Sequence, residues 1–351
     1  MNREEVLEQI KRQEIIEDVD LTGIDLSGAD LRGGLFENVL FCKAILSGIN
    51  LKNTRFVKCD FSGAVFDGTV MTNLDFQGMS FAGASLKKTR LHKTFLQEVD
   101  LNDADCTGAL FSWVFMQDAK LIGANCSNAT FEKVFLDRSQ LSGINLAGSD
   151  FLKVSFNEVD MTGVQLKGAK FSYVMFAHCN LEGKDLRGVK FSTVNANGAN
   201  LRSVDLTGAD ISFSVFSNAD LSGAILDRVH GQHATFMKAK LVGTSFVGAD
   251  ASSNGFAYAD LSGANFTGAD LAHSFFGNTQ CSKTIFKNAR CCYGDFSHAN
   301  LTGADCTGSD FTGARLHMAI DENTIWKDTI LAHIRGTDKD MAQAETFIPS
   351  Y

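Results

Sequence analysis

The chain has 351 residues and a formal charge of −9, with 32 glycines, 29 phenylalanines and a single proline. Charged residues are spread so evenly that no window approaches the roughly 18 to 20 apolar residues of a membrane span, and no apolar signal segment follows the charged start Met1-Asn2-Arg3-Glu4-Glu5. Nine cysteines, an odd number without C-x-x-C spacing, fit a reducing compartment, so a cytoplasmic protein is expected.

In residues 1–18, Val6, Leu7 and Ile10 recur at helical spacing with Ile15 and Ile16 just beyond, which predicts a short N-terminal capping helix. From Leu21 to Leu316 a different rule holds. Of the 60 positions visited in steps of five, 57 carry Leu, Phe, Met, Ile or Cys, and only Ala196, Gly231 and Ala251 do not. Two residues before each lies a mostly small position, such as Ala29, Val39, Ala64, Val114, Ala209 and Ala264; Leu74, Met79, Lys184 and Asn254 break that pattern. A period of five matches neither 3.6 nor 2. The chain is therefore expected to turn every five residues, with one large and one small side chain inward per turn.

Units such as Ala29-Asp30-Leu31, Ala219-Asp220-Leu221-Ser222-Gly223 and Ala299-Asn300-Leu301-Thr302-Gly303 resemble the pentapeptide-repeat family. The resemblance implies an all-β solenoid, a right-handed quadrilateral parallel β-helix with four pentapeptides per coil. Residues 19–318 would then form about 15 coils, a rod roughly 70 Å long at about 4.8 Å per coil. The 20-residue period has support of its own. Phe111, Phe131, Phe151, Phe171 and Phe191 fall in one column, and Phe216, Phe236, Phe256, Phe276 and Phe296 in another. Past the repeat, residues 319–351 are expected to form a helical cap containing Ile325, Trp326, Ile330, Leu331 and Ile334, then a polar, mobile tail from Gly336.

Two outward columns depart from polarity. One contains Phe95, Phe115, Phe135, Met175, Val215 and Phe275, and the other Trp113, Tyr173, Phe213, His233, His273 and Tyr293. Lys93, Lys133, Lys153, Lys170 and Lys190 follow the same flank. We read this as a contiguous apolar stripe that binds a protein partner or a second copy of the chain. The lysines with their interleaved aromatics would suit nucleic acid, but no nucleic-acid module is present and the chain is acidic.

No nucleophile elbow, P-loop or zincin motif stands in a suitable context. Cys106, Cys126, Cys281, Cys291 and Cys306 face inward as apolar fillers, and His230, His233 and His273 lack metal-ligand spacing. No catalysis, cofactor, metal or small-molecule substrate is expected, because loop-free coils offer no concave pocket. By resemblance, the function is that of a scaffold or adaptor, including accessory and effector-loading proteins of type VI secretion. The other reading is a DNA-mimicking inhibitor or protector of gyrase. Aspartates at the second place (Asp20, Asp30, Asp60, Asp100, Asp210, Asp220, Asp250, Asp260, Asp270) are instead expected to close their own turns. The charge is also spread as −3 over each of residues 1–18, 19–318 and 319–351.

Overall fold

In the computed structural model, which describes residues 1–346, the chain forms two compact units, Met1–Cys179 and Asn180–Tyr351. Each is built on the same 20-residue parallel register, with four five-residue segments per coil. In the first unit, β1 (Ile15–Glu17), β2 (Leu35–Glu37) and β3 (Arg55–Val57) form one sheet. A second sheet runs in order through β4 (Val70–Thr72), β5 (Arg90–His92), β6 (Leu110–Phe115), β7 (Thr130–Phe135), β8 (Asp150–Leu152) and β9 (Lys170–Ser172). Every pairing is parallel, as in Phe111 with Phe131 and Phe131 with Phe151. In the second unit single bridges recur at every fifth residue, from Asn180 with Asn200 to Arg315 with Arg335.

The five-residue turn explains the composition. The amide of the small inward residue donates to the carbonyl of the preceding large one, as Ala29 does to Leu26 at 2.9 Å, and the second of the two residues between them, Gly28, takes φ +65°. That is a type II turn, where glycine is favoured. Side chains stand in the same left-handed place elsewhere, including Trp113, Tyr173, Phe213 and Tyr293. The nine aspartates named above each accept the amide N–H two residues on, for example Thr22 to Asp20 at 2.8 Å and Ser222 to Asp220 at 2.9 Å.

The core is a set of side-chain ladders. Phe236, Phe256, Phe276 and Phe296 stack at 5.1, 4.9 and 4.4 Å. Phe246 lies edge-on to Phe236 and Phe256 at 5.8 and 6.1 Å. At Gly231 the space of a side chain is taken by Ile211 of the preceding coil, whose Cγ1 would lie 3.2 Å from an added Cβ, as dense interiors demand. In the first unit the residual core gap lined by Met71, Phe76, Phe81 and Leu86 is only about 10 Å³, room for one water at most.

Both ends differ from the sequence reading. The N-terminal helix α1 spans Arg3–Lys11, opened by a capping box between Asn2 and Glu5, and it buries Val6. Arg3 ties it to the first coil through the carbonyls of Asp25 and Ser27, at 3.2 and 2.9 Å. Ile15 and Ile16 already belong to β1, so the ladder begins inside the segment expected to be only a cap. The correction at the other end is larger. Ile320, Ile325 and Ile330 bridge to Asn300, Asp305 and Asp310, and Trp326 packs edge-on to Phe311 at 5.3 Å. Ile325, Trp326, Ile330, Leu331 and Ile334 therefore lie in a further coil and not in a helix, because their spacing satisfies the five-residue turn. The C-terminal helix α2 is confined to Lys339–Thr346, within the stretch expected to be mobile; the last five residues, with Pro349, lie outside the described residues. At 20 residues per coil each unit holds about eight coils.

Candidate partner-binding face

In the first unit the column through Phe95, Phe115 and Phe135 is an outward stack of rings. Centroids lie 5.3 and 5.2 Å apart and planes are tilted by 11° and 8°. The parallel register places each ring over the next. Phe95 is 43% exposed, while Phe115 and Phe135 are partly covered by their neighbours. Ser155 interrupts the column before Met175, its buried hydroxyl donating to Asp137. In the adjoining column Lys133 sets its ammonium 4.6 Å from the centre of the Trp113 ring, a cation–π contact. Tyr173 is exposed.

In the second unit the apolar outward residues form two separate groups. Phe213 stacks on His233 at 5.0 Å beside Val215, and His273 stacks on Tyr293 at 5.2 Å beside Phe275. Thr235, Ser253 and Gly255 lie between them. In each unit the outward apolar residues thus form clusters, and the expected contiguous stripe is broken within each unit.

The basic flank is partly neutralised. Lys170 pairs with Asp150 at 3.2 Å and Lys133 with Glu132 at 3.2 Å. Among the described residues Lys93, Lys153 and Lys190 make no ion pair.

The cysteines are inward or covered. Eight of the nine are buried and Cys42 is half-buried. Hydrogen bonding to Cys126 together with burial pushes the Cys106 thiol far up, and burial raises Cys281 to about 12. Such thiols are poor nucleophiles and poor ligands. The larger surface hollows are open, such as the one lined by Ile49, Lys52, Asn53, Val70 and Asn73. Among the described residues no helix is long and apolar enough to cross a membrane.

A five-residue turn, a 20-residue parallel register and columnar inward side chains define a parallel β-solenoid of stacked pentapeptides. The chain belongs to the pentapeptide-repeat family: the model of pentapeptide repeats matches residues 20–56, 59–97, 80–118, 100–138, 135–172, 174–208, 214–250, 264–294 and 295–320. No curated protein shows significant similarity to the chain. Among solved structures it resembles HetL, a pentapeptide repeat protein involved in heterocyst differentiation regulation from Nostoc sp. strain PCC 7120. Identity is 20%, with 95% of this chain and 96% of HetL covered and a TM-score of 0.18. It also resembles QnrB1, a plasmid-mediated fluoroquinolone resistance protein, at 20% identity over 62% of this chain and 90% of that one, TM-score 0.26. A pentapeptide repeat protein of the Arabidopsis thaliana thylakoid lumen is 26% identical over 38% of this chain and 65% of its own, TM-score 0.16. The fold assignment rests on the register and the family match, and not on these likenesses.

Proposed function

We propose that the chain is a non-enzymatic interaction scaffold that engages another protein through its outward aromatic clusters. The observation that carries this reading is the outward Phe95, Phe115 and Phe135 stack. Folding does not require it, since the equivalent outward places in other coils hold Asp75, Asn195 and Asp295. Aromatic rings in an exposed apolar cluster are the usual anchors of interfaces. Trp113, Tyr173, Met175 and Lys133 extend the face in the first unit, while Phe213, Val215, Phe275 and Tyr293 furnish the smaller groups of the second. Lys93, Lys153, Lys170 and Lys190 would favour a partner of acidic surface. An accessory or effector-loading role in a type VI secretion apparatus is a narrower form of the same reading, suggested by family resemblance.

The alternative is a gyrase protector or inhibitor that mimics DNA. Resemblance to QnrB1 motivates it, whereas turn aspartates committed to neighbouring amides weigh against a phosphate-like face. Phe115→Asp combined with Phe135→Asp separates the readings. The double variant should keep the β-rich circular dichroism and lose pull-down of the partner or self-association. Unchanged association would remove the face from consideration. Relief of quinolone inhibition of gyrase at near-stoichiometric protein would replace the scaffold reading with the alternative.

A further inference from the structure

Within the second unit two imidazoles converge on one carboxylate. His298 and His317 lie on successive coils, the His298 amide donating to the His317 carbonyl at 2.8 Å. Glu345, in the last turn of α2, brings Oε2 to 3.1 Å from Nε2 of His298 and 3.3 Å from Nε2 of His317. The three donor atoms lie within 4.8 Å of one another, and the His317 side chain is only 1% exposed. A tetrahedral ion with bonds of about 2.0–2.1 Å holds its donors about 3.3–3.4 Å apart. Two of the three separations are already close to that value.

We propose that His298, His317 and Glu345 form a site for a divalent ion of the zinc class, which fastens α2 to two coils. Two imidazoles and a carboxylate suit zinc better than the all-oxygen shells of calcium or magnesium. Three protein donors leave the fourth position to water.

The proton positions give the site a signature of its own. Without the ion, Nδ1 of His317 accepts the Asp338 amide N–H at 3.1 Å, so the imidazole proton sits on Nε2 and points to Glu345. Coordination through Nε2 puts that proton on Nδ1, where two N–H groups would face one another. The Asp338 amide must then turn to solvent, which its exposed position allows. The Asp338 carboxylate is already engaged by the Asp340 and Met341 amides, and the Arg315 guanidinium lies against Met341 Sδ at 3.0 Å. Binding therefore tightens α2 through Glu345 while releasing only the backbone amide of its entry residue.

The test uses the full chain without an affinity tag. Zinc is titrated by calorimetry and cobalt by visible absorption, with hydrogen exchange read in the presence and absence of zinc. We expect one site per chain with a four-coordinate cobalt spectrum. His298→Ala and Glu345→Gln, at residues that are not buried, should each weaken binding by at least about tenfold. Exchange should slow over residues 339–345 and quicken at Asp338. Absence of binding, binding unaltered by both variants, or binding that leaves α2 exchange unchanged would each overturn the proposal.

Discussion

Replacing Phe256 by alanine tests the ladder account of stability. The ring is fully buried, stacks on Phe236 and Phe276 at 5.1 and 4.9 Å, and meets Phe246 and Phe266 edge-on at 6.1 and 5.8 Å. Removing a buried phenylalanine costs about 3–5 kcal/mol, more when the cavity cannot collapse. Here collapse is resisted, because the rings above and below are held by the 20-residue register and the adjoining inward place is only Ala251. We therefore expect about 4–5 kcal/mol by urea unfolding, while Phe256→Leu should cost less than about 2 kcal/mol because it keeps most of the volume. Nearest-neighbour coupling in repeat arrays further predicts that hydrogen-exchange protection falls most in the coils containing residues 236–276. A loss below about 2 kcal/mol for the alanine variant would refute the reasoning, as would a loss equal to that of leucine.

Three further outcomes follow from the turns and side chains. Gly263→Ala should cost about 1–2 kcal/mol: its φ of +67° is unfavourable to a side chain, and an added Cβ would meet nothing within 4 Å. A neutral result in thermal unfolding would sink that account. The Arg187 guanidinium holds Asp185 down at about 2 from its ordinary 3.8. Its contribution is therefore complete above about pH 4 and lost as pH falls through 2. Because both groups are more than half exposed, solvent screening keeps the effect on stability small. Carboxyl titration by NMR should show Asp185 returning toward 3.8 in Arg187→Ala. Finally, mass-mapped alkylation of the native chain should modify Cys42 first, since the other eight thiols are buried; early labelling of Cys106 or Cys281 would contradict the inward ladders.

Much of the fold is legible in the sequence because the period has a direct physical cause: each five-residue turn must bury a large side chain and place a residue that tolerates positive φ. The aromatic face was partly legible, since outward columns follow from the same period. Its interruption was less so, because Thr235, Ser253 and Gly255 had to be weighed against the rings on either side. At the terminal coil the sequence points to a helix even though Ile320, Ile325 and Ile330 keep the five-residue step. Asp321 puts a charge at a place held by an uncharged residue in all 60 units from Leu21 to Leu316, and the spacing of Ile330 with Ile334 imitates a helix. Glu345 lies beyond any repeat, so no periodicity could bring it to His298 and His317; only the path of residues 336–346 does that.

The 20-residue register also makes length a discrete variable. Adding or removing five residues within a unit would advance every later residue by one quarter of a coil. Phenylalanine would then face leucine columns, and Phe95, Phe115 and Phe135 would no longer share a face with residues beyond the change. Only insertions or deletions of whole coils preserve both interior and surface. Such a chain can lengthen or shorten its outward columns in steps of one coil, about 4.8 Å, with the chemistry of each remaining column intact.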